Sequence, residues 1–331
     1  MFPRILFSFF LSLCLVSCNG QNNSPLADIQ GQPIRIHRFD RDLFKLIETK
    51  DTVLQTRLTE KYPRMLEIAG KGILNMQSPT MPGFFDKLIK FYSEPTLISL
   101  YRDAIGLYDS IAPIEGELGN GFARLQVCFP TMQVPAVYMH VSGLNQNVLA
   151  GDSVLSLSID KYMGKDYPLY QTFFYDYQRQ KMTAGQMVPD YIAGWLMSEY
   201  PFAGKENVLL DRMIYEGKIK YLLHLVLPEK TQAELMGYTD TSLKWCKENE
   251  ANLWKAIVER KHLYTPDLVT TAKYFEDMPS SFLSSDAPGN IGVWVGWQIV
   301  NRYMTETKAT PSSLMENTDS QGILTASKYK P

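Results

Sequence analysis

Three carboxylates stand where helical periodicity gives them chemical potential. Glu216 lies in Met213-Ile-Tyr-Glu-Gly-Lys218, at the margin of an apolar stripe formed by Leu210, Ile214, Gly217, Tyr221 and Leu225. Glu250 takes a place within the stripe Leu243, Cys246, Leu253, Ile257, beside Asn249 and flanked by Trp245 and Trp254. Asp190 falls in Met187-Val-Pro-Asp-Tyr-Ile-Ala-Gly-Trp-Leu196, a helical run whose first turn suits Pro189. A buried carboxylate must find a partner. One that lines a pocket is instead free for acid–base work. Two structural alternatives stand beside that reading. Glu216, between Arg212 and Lys220, fits a solvated charge ladder worth a few tenths of a kcal/mol, and Glu250 fits a partner of Arg or Lys from another helix. Asp190, Glu216, Trp245, Asn249, Glu250 and Trp254 are the candidate cleft residues.

Other chemistries are excluded more firmly. The histidines are His37, His140, His224 and His262, and no two form H-x-x-x-H, so no helical zinc pair is available. There is no Walker loop, Rossmann glycine fingerprint or EF-hand loop, and no G-x-S-x-G elbow. Neither a metal site nor a cofactor is expected. Chemistry by paired carboxylates stays open, because any two of 35 acidic residues can meet in space. His140, in Val137-Tyr-Met-His-Val141, reads as a sheet histidine with its hydrogen bonds satisfied.

Composition sets the class. The chain has 331 residues, 45% of them hydrophobic, and a net charge of −2, which excludes disorder. The charge balance leaves no basic face for nucleic acid.

The N-terminus speaks of location. Arg4 is followed by an apolar run from Ile5 to Val16, too short to span a membrane and suited to a signal peptide over residues 1–17. The run ends Leu15-Val16-Ser17-Cys18, which resembles the lipobox of bacterial lipoproteins, in which the cysteine is acylated and becomes the new N-terminus. Residues 18–30 read as a lipidated end and flexible tether, and 31–331 as a single domain. Cys128 and Cys246 remain as expected buried free thiols.

The elements that must position the carboxylates are mostly helical. A half-buried strand is predicted over Ile34–Asp40, with a helix from Asp42. Helices are predicted over Leu54–Ile68, Phe84–Tyr92, Pro95–Ile111 and Ile114–Val127, then strands over Val134–Val141 and Ser153–Asp160. Glycine, asparagine and aspartate between those strands read as a connection. Further helices follow over Asn207–Leu227, Thr241–Lys261 and Asn290–Tyr303. Gly217, and Gly292 with Gly296, permit close approach of a neighbouring element. The fold class is therefore α+β, predominantly helical with one small sheet.

Several motifs resemble the gliding-motility lipoprotein GldB family of Bacteroidetes. They are the lipobox, Arg38-Phe-Asp-Arg-Asp-Leu-Phe44, Leu157-Ser-Ile-Asp-Lys-Tyr-Met-Gly164, Met213-Ile-Tyr-Glu-Gly-Lys218 and Trp245-Cys-Lys-Glu-Asn-Glu250 with Trp254. Ala287-Pro-Gly-Asn-Ile-Gly-Val-Trp-Val-Gly-Trp-Gln-Ile-Val300 and the terminal Ser327-Lys-Tyr-Lys-Pro331 complete the set. The resemblance implies an envelope lipoprotein needed for gliding, with partners in the gliding and type IX secretion apparatus. A fainter resemblance is to predicted zinc proteases, in which the helix after the sheet carries H-E-x-x-H and the glutamate of a Glu-Gly helix is the third ligand. Here the matching helix, Met187–Leu196, has no histidine, while Glu216 occupies the third-ligand position. That implies a degenerate zincin-like architecture, a pseudoenzyme without metal.

The expectation is a non-catalytic binding or scaffolding component, lipid-anchored to a membrane and facing the periplasm. The rival is a hydrolase of peptide or peptidoglycan-like substrate with a non-standard site near Glu216 and Glu250.

Overall fold

A computed structural model describes residues 24–76, 78–151, 153–279, 283–284 and 286–331. The expected signal peptide, Cys18 and the first part of the expected tether lie outside the described residues.

The chain begins with β1 (Ile36–His37), α1 (Phe39–Thr49), α2 (Thr52–Lys61), α3 (Pro63–Ala69), α4 (Phe84–Tyr92), α5 (Pro95–Leu107) and α6 (Ala112–Cys128). The sheet is completed by β2 (Ala136–His140), β3 (Val148–Gly151) and β4 (Val154–Ser158). Two short helices, α7 (Pro168–Phe173) and α8 (Asp176–Arg179), lead to α9 (Met187–Glu199) and α10 (Leu209–Val226). The remainder is α11 (Gln232–Met236), α12 (Asp240–Glu248), α13 (Glu250–Glu259), α14 (Leu268–Lys273), α15 (Ile291–Thr307), α16 (Pro311–Glu316) and α17 (Ser320–Ser327).

The sheet is four-stranded in the order β1-β2-β4-β3. β1, β2 and β4 run parallel, and β3 closes the edge antiparallel to β4. Val137, Met139, Leu155 and Leu157 are buried in the core. Tyr138, paired with Ser156, and His140, paired with Ser158, belong to a polar seam instead. Within it, His140 Nδ1 meets Ser156 Oγ at 2.8 Å, while its Nε2 is buried with no partner among the described residues, so the expected satisfaction of its hydrogen bonds holds at one ring nitrogen only. Burial without a counter-charge pushes the imidazole down to about 3. Helix α9 lies against β3 and β4. Gly194 makes that possible, since a Cβ there would stand 2.6 Å from Val148 Cγ1.

Four expectations are corrected. The predicted strand at Ile34–Asp40 is only two residues long, and a helix starts already at Phe39. Asp40 is fully buried in that helix's first turn and paired with Arg38 at 2.6 Å. The helix predicted over Leu54–Ile68 breaks at Tyr62, because Pro63 has no N–H to continue it and opens α3 instead. The helix predicted over Thr241–Lys261 breaks at Asn249, whose side chain donates to the Trp245 carbonyl at 2.9 Å. Finally, the connection between β2 and β4 contains the strand β3, hidden by flanking turn residues.

Residues 24–30 are also not a free tether. Leu26 is buried, and the segment is packed against α6 and the end of α10. Cys128 and Cys246 are both free.

Candidate functional site

The charged cluster is built on α9 and α10. Asp190 stands in the first turn of α9, after a 3-10 turn over Ala184–Gln186 that is tied to α11 by Gln186 Nε2 donating to the Glu234 carbonyl at 2.7 Å. Glu216 and Lys220 sit one turn apart on α10. Helix α10 is fixed in rotation by its crossing with α15, where Gly217 meets Gly296 so closely that a Cβ at Gly217 would lie 2.3 Å from the Gly296 carbonyl carbon.

Lys220 is the centre of the arrangement. Its ammonium donates to the Leu235 carbonyl at 2.5 Å, and its charge acts on both Asp190 and Glu216. Burial, reinforced by the nearby charge of Lys181, pushes the amine down to about 8 against the pull of Asp190, Glu216 and Asp277. Burial likewise raises Asp190 above the ordinary carboxylate range, opposed by the Tyr162 hydroxyl that donates to it at 2.5 Å and by Lys220 and Lys181. Glu216 is raised by burial too, opposed by Lys220, Arg212 and Lys181.

Asp277 adds a third carboxylate to the field around Lys220. Asp277 accepts from Lys181 Nζ and from Asn290 Nδ2, each at 2.7 Å. Burial pushes Asp277 up, but Lys181, Asn290 and Lys161 outweigh it and hold it below its usual value. Three lysines, Lys161, Lys181 and Lys220, thus share one electrostatic neighbourhood with Asp190, Glu216 and Asp277.

The structure therefore places Asp190 and Glu216 each within the field of Lys220 and separates them from the other candidates by role. Glu250 Oε1 accepts from the Tyr329 hydroxyl at 2.8 Å, and Trp254 packs edge-on to the Tyr329 ring, centroids 5.1 Å apart. Trp245 and Asn249 form the joint between α12 and α13. Glu250 and Trp254 thus hold Tyr329 at the C-terminal end of the chain. Sequence reasoning missed Tyr162, Lys181 and Asp277 as members of the cluster, and no periodic signal marks them. Lys220 did carry a signal, its place four residues after Glu216.

Chemically the cluster offers an amine with unused donor capacity and two carboxyl groups that protonate readily. Among the described residues, no group of three or more His, Cys, Asp or Glu is placed to hold a metal ion. The histidines are dispersed: His37 stacks on Tyr138, His140 is sealed in the sheet, His224 packs on Trp297 and His262 meets Tyr274. The thiols are no better placed, since burial pushes Cys128 up to about 11 and Cys246 to about 12.

No helix among the described residues is long and apolar enough to cross a membrane. No curated protein and no solved structure matches the chain. The family model of the gliding motility protein GldB matches residues 20–331, from just after Cys18 to the last residue. That span takes in both helices of the charged cluster and every motif quoted for the resemblance except the lipobox. The chain belongs to the gliding motility protein GldB family.

Proposed function

We propose that this gliding-associated protein is a cell-envelope lipoprotein, anchored through acylated Cys18 and facing the periplasm. In this reading it serves the gliding and linked type IX secretion machinery by binding an envelope protein at the Asp190–Glu216–Lys220 cleft, without catalysis. The observation that carries the reading is the packing of α9 on α10, which sets half-buried Asp190 in the neighbourhood of half-buried Glu216 and Lys220. Such a cluster recognises polar and charged groups of a partner, and catalytic zinc wants three protein ligands that the cluster does not supply. The thiols of Cys128 and Cys246, raised by burial and held as neutral S–H, add no nucleophile. A zincin-like framework is part of this reading: α9, which comes after the sheet and the short α7 and α8, lacks histidine, and Glu216 stands on the next helix.

The anchor is tested by fractionating cells. Cys18→Ala is expected to move the protein out of the membrane fraction, and retention there contradicts the anchor. Protease added to intact cells is expected to leave the protein whole. Shaving of the body contradicts the periplasmic placement.

A second reading has one observation in its favour. Asp190 and Glu216, both raised by burial, are suited to general-acid work in a hydrolase of peptide or peptidoglycan-like substrate. Incubating the purified protein with peptidoglycan and with peptides decides between them. No released product supports binding, whereas product that disappears in Glu216→Gln supports hydrolysis.

A further inference from the structure

Arg124 of α6 is wholly buried and commits all five of its N–H donors. Its Nε donates to the Ile29 carbonyl at 3.1 Å, and Nη1 to the Val226 carbonyl at 3.0 Å and Glu229 Oε2 at 2.9 Å. Its Nη2 reaches the Ala27 carbonyl at 3.1 Å and Glu229 Oε1 at 2.7 Å. One guanidinium thus clamps residues 27–29 to the C-terminal end of α10. Ser24 Oγ adds a bond to the Leu225 carbonyl at 2.7 Å, and the Gly31 N–H donates to Asn120 Oδ1 at 2.9 Å. Gly31 itself runs flush over α6, where a Cβ would stand 2.1 Å from the Gly119 carbonyl oxygen.

The chain is therefore pinned to the body from Ser24 onward, and only Asn19 to Asn23 separate Ser24 from Cys18. Six Cα steps reach at most about 20 Å. We propose that the clamp makes the C-terminal end of α10, with the residues around Ser24 and Glu229, the face turned to the lipid bilayer, held within that distance of it. The proposal rests on the Cys18 anchor. Charge does not supply the attraction: Glu117, Glu229 and Glu234 line this end against Lys230, so anionic headgroups gain nothing there. The covalent leash and the Arg124 clamp set the orientation. Glu216 lies nine residues before Leu225, about 14 Å along the helix, so the charged cluster is offered to a membrane-proximal segment of its partner.

The test uses the full-length acylated protein carrying Cys128→Ser, on vesicles doped with a headgroup-labelled acceptor lipid. A donor dye is placed at Asp28→Cys, in the clamped segment, or at Lys205→Cys, beyond the other end of α10; both positions are exposed. Helix α10 separates these ends by about 26 Å, so energy transfer from position 28 is expected to exceed that from 205 by at least about twofold. The difference is expected to survive about 0.5 M salt and to shrink when a long Gly-Ser segment is inserted between Asn22 and Asn23. Equal transfer, or stronger transfer from 205, overturns the orientation while leaving the anchor standing. Failure of the protein to float with the vesicles overturns the anchor, and the orientation with it.

Discussion

Gly217 of α10 and Gly296 of α15 bring two helix backbones into direct contact. A Cβ at Gly296 would stand 1.8 Å from the Met213 carbonyl oxygen, a distance no side chain tolerates. The contact is backbone on backbone, so no rotamer change relieves it. Because α10 carries both Glu216 and Lys220, this crossing sets the placement of the charged cluster as well as the packing of the core.

Gly296→Ala is accordingly expected to destabilise the fold by about 3 kcal/mol or more, at or beyond the upper end of ordinary overpacking costs. The control is Gly106→Ala in α5, where nothing lies within 4 Å of the added methyl. That change is expected to stabilise by about 0.5–1 kcal/mol through helix propensity and lost unfolded-state freedom. Urea denaturation of the two variants checks both signs.

Removing Arg124 is expected to be costly. Arg124→Ala strips three backbone carbonyls of their donor and leaves exposed Glu229 unpaired, and each buried acceptor left unsatisfied costs about 1–3 kcal/mol. Limited proteolysis is expected to cut the variant within residues 24–31 while the wild type resists there.

The two lysines of α10 predict an alkaline response. Lys218 and Lys220 are each pushed down to about 8 by burial, against a free-chain value of 10.5. Between those values the unfolded chain keeps the lysine protons that the folded one gives up, so the lysines' contribution to stability rises with pH. The net rise is clearest from about pH 7.5 to 8.5, because the free-chain tyrosines, at 10.0, ionise above that range and oppose it. Lys220→Met is expected to remove part of the rise, and Lys218→Met another part, as read by denaturation at the two pH values. A wild-type protein whose stability falls over this range contradicts the assignment.

Much of the fold was legible because periodicity reports it. Phe84–Tyr92 matches its helix end to end, and Gly217 and Gly296 signalled close approach before the partner of either was known. The failures have local causes. Pro63 and Asn249 interrupt stripes that periodicity alone reads as continuous, and Val148–Gly151 pairs with β4 although turn residues flank it. The cluster was legible only in part. Asp190 and Glu216 stood out, but Glu250 stood out equally and serves Tyr329. A carboxylate in an apolar stripe says that a partner exists, and only tertiary packing says which. Lys220 shows the same limit. Its spacing from Glu216 reads as a surface ladder, yet its ammonium turns inward to the Leu235 carbonyl.

The most direct test of a binding cleft is the spreading of colonies on a surface that supports gliding, with the protein replaced by Glu216→Gln or by Lys220→Glu. Glu216→Gln keeps the shape and polar surface of the site, and gliding is expected to continue nearly as in wild type. Lys220→Glu places a third carboxylate beside Asp190 and Glu216, and gliding is expected to stop while the protein stays folded in the membrane fraction. Loss of gliding in Glu216→Gln, at normal protein level, would contradict the account and make Glu216 a catalytic acid.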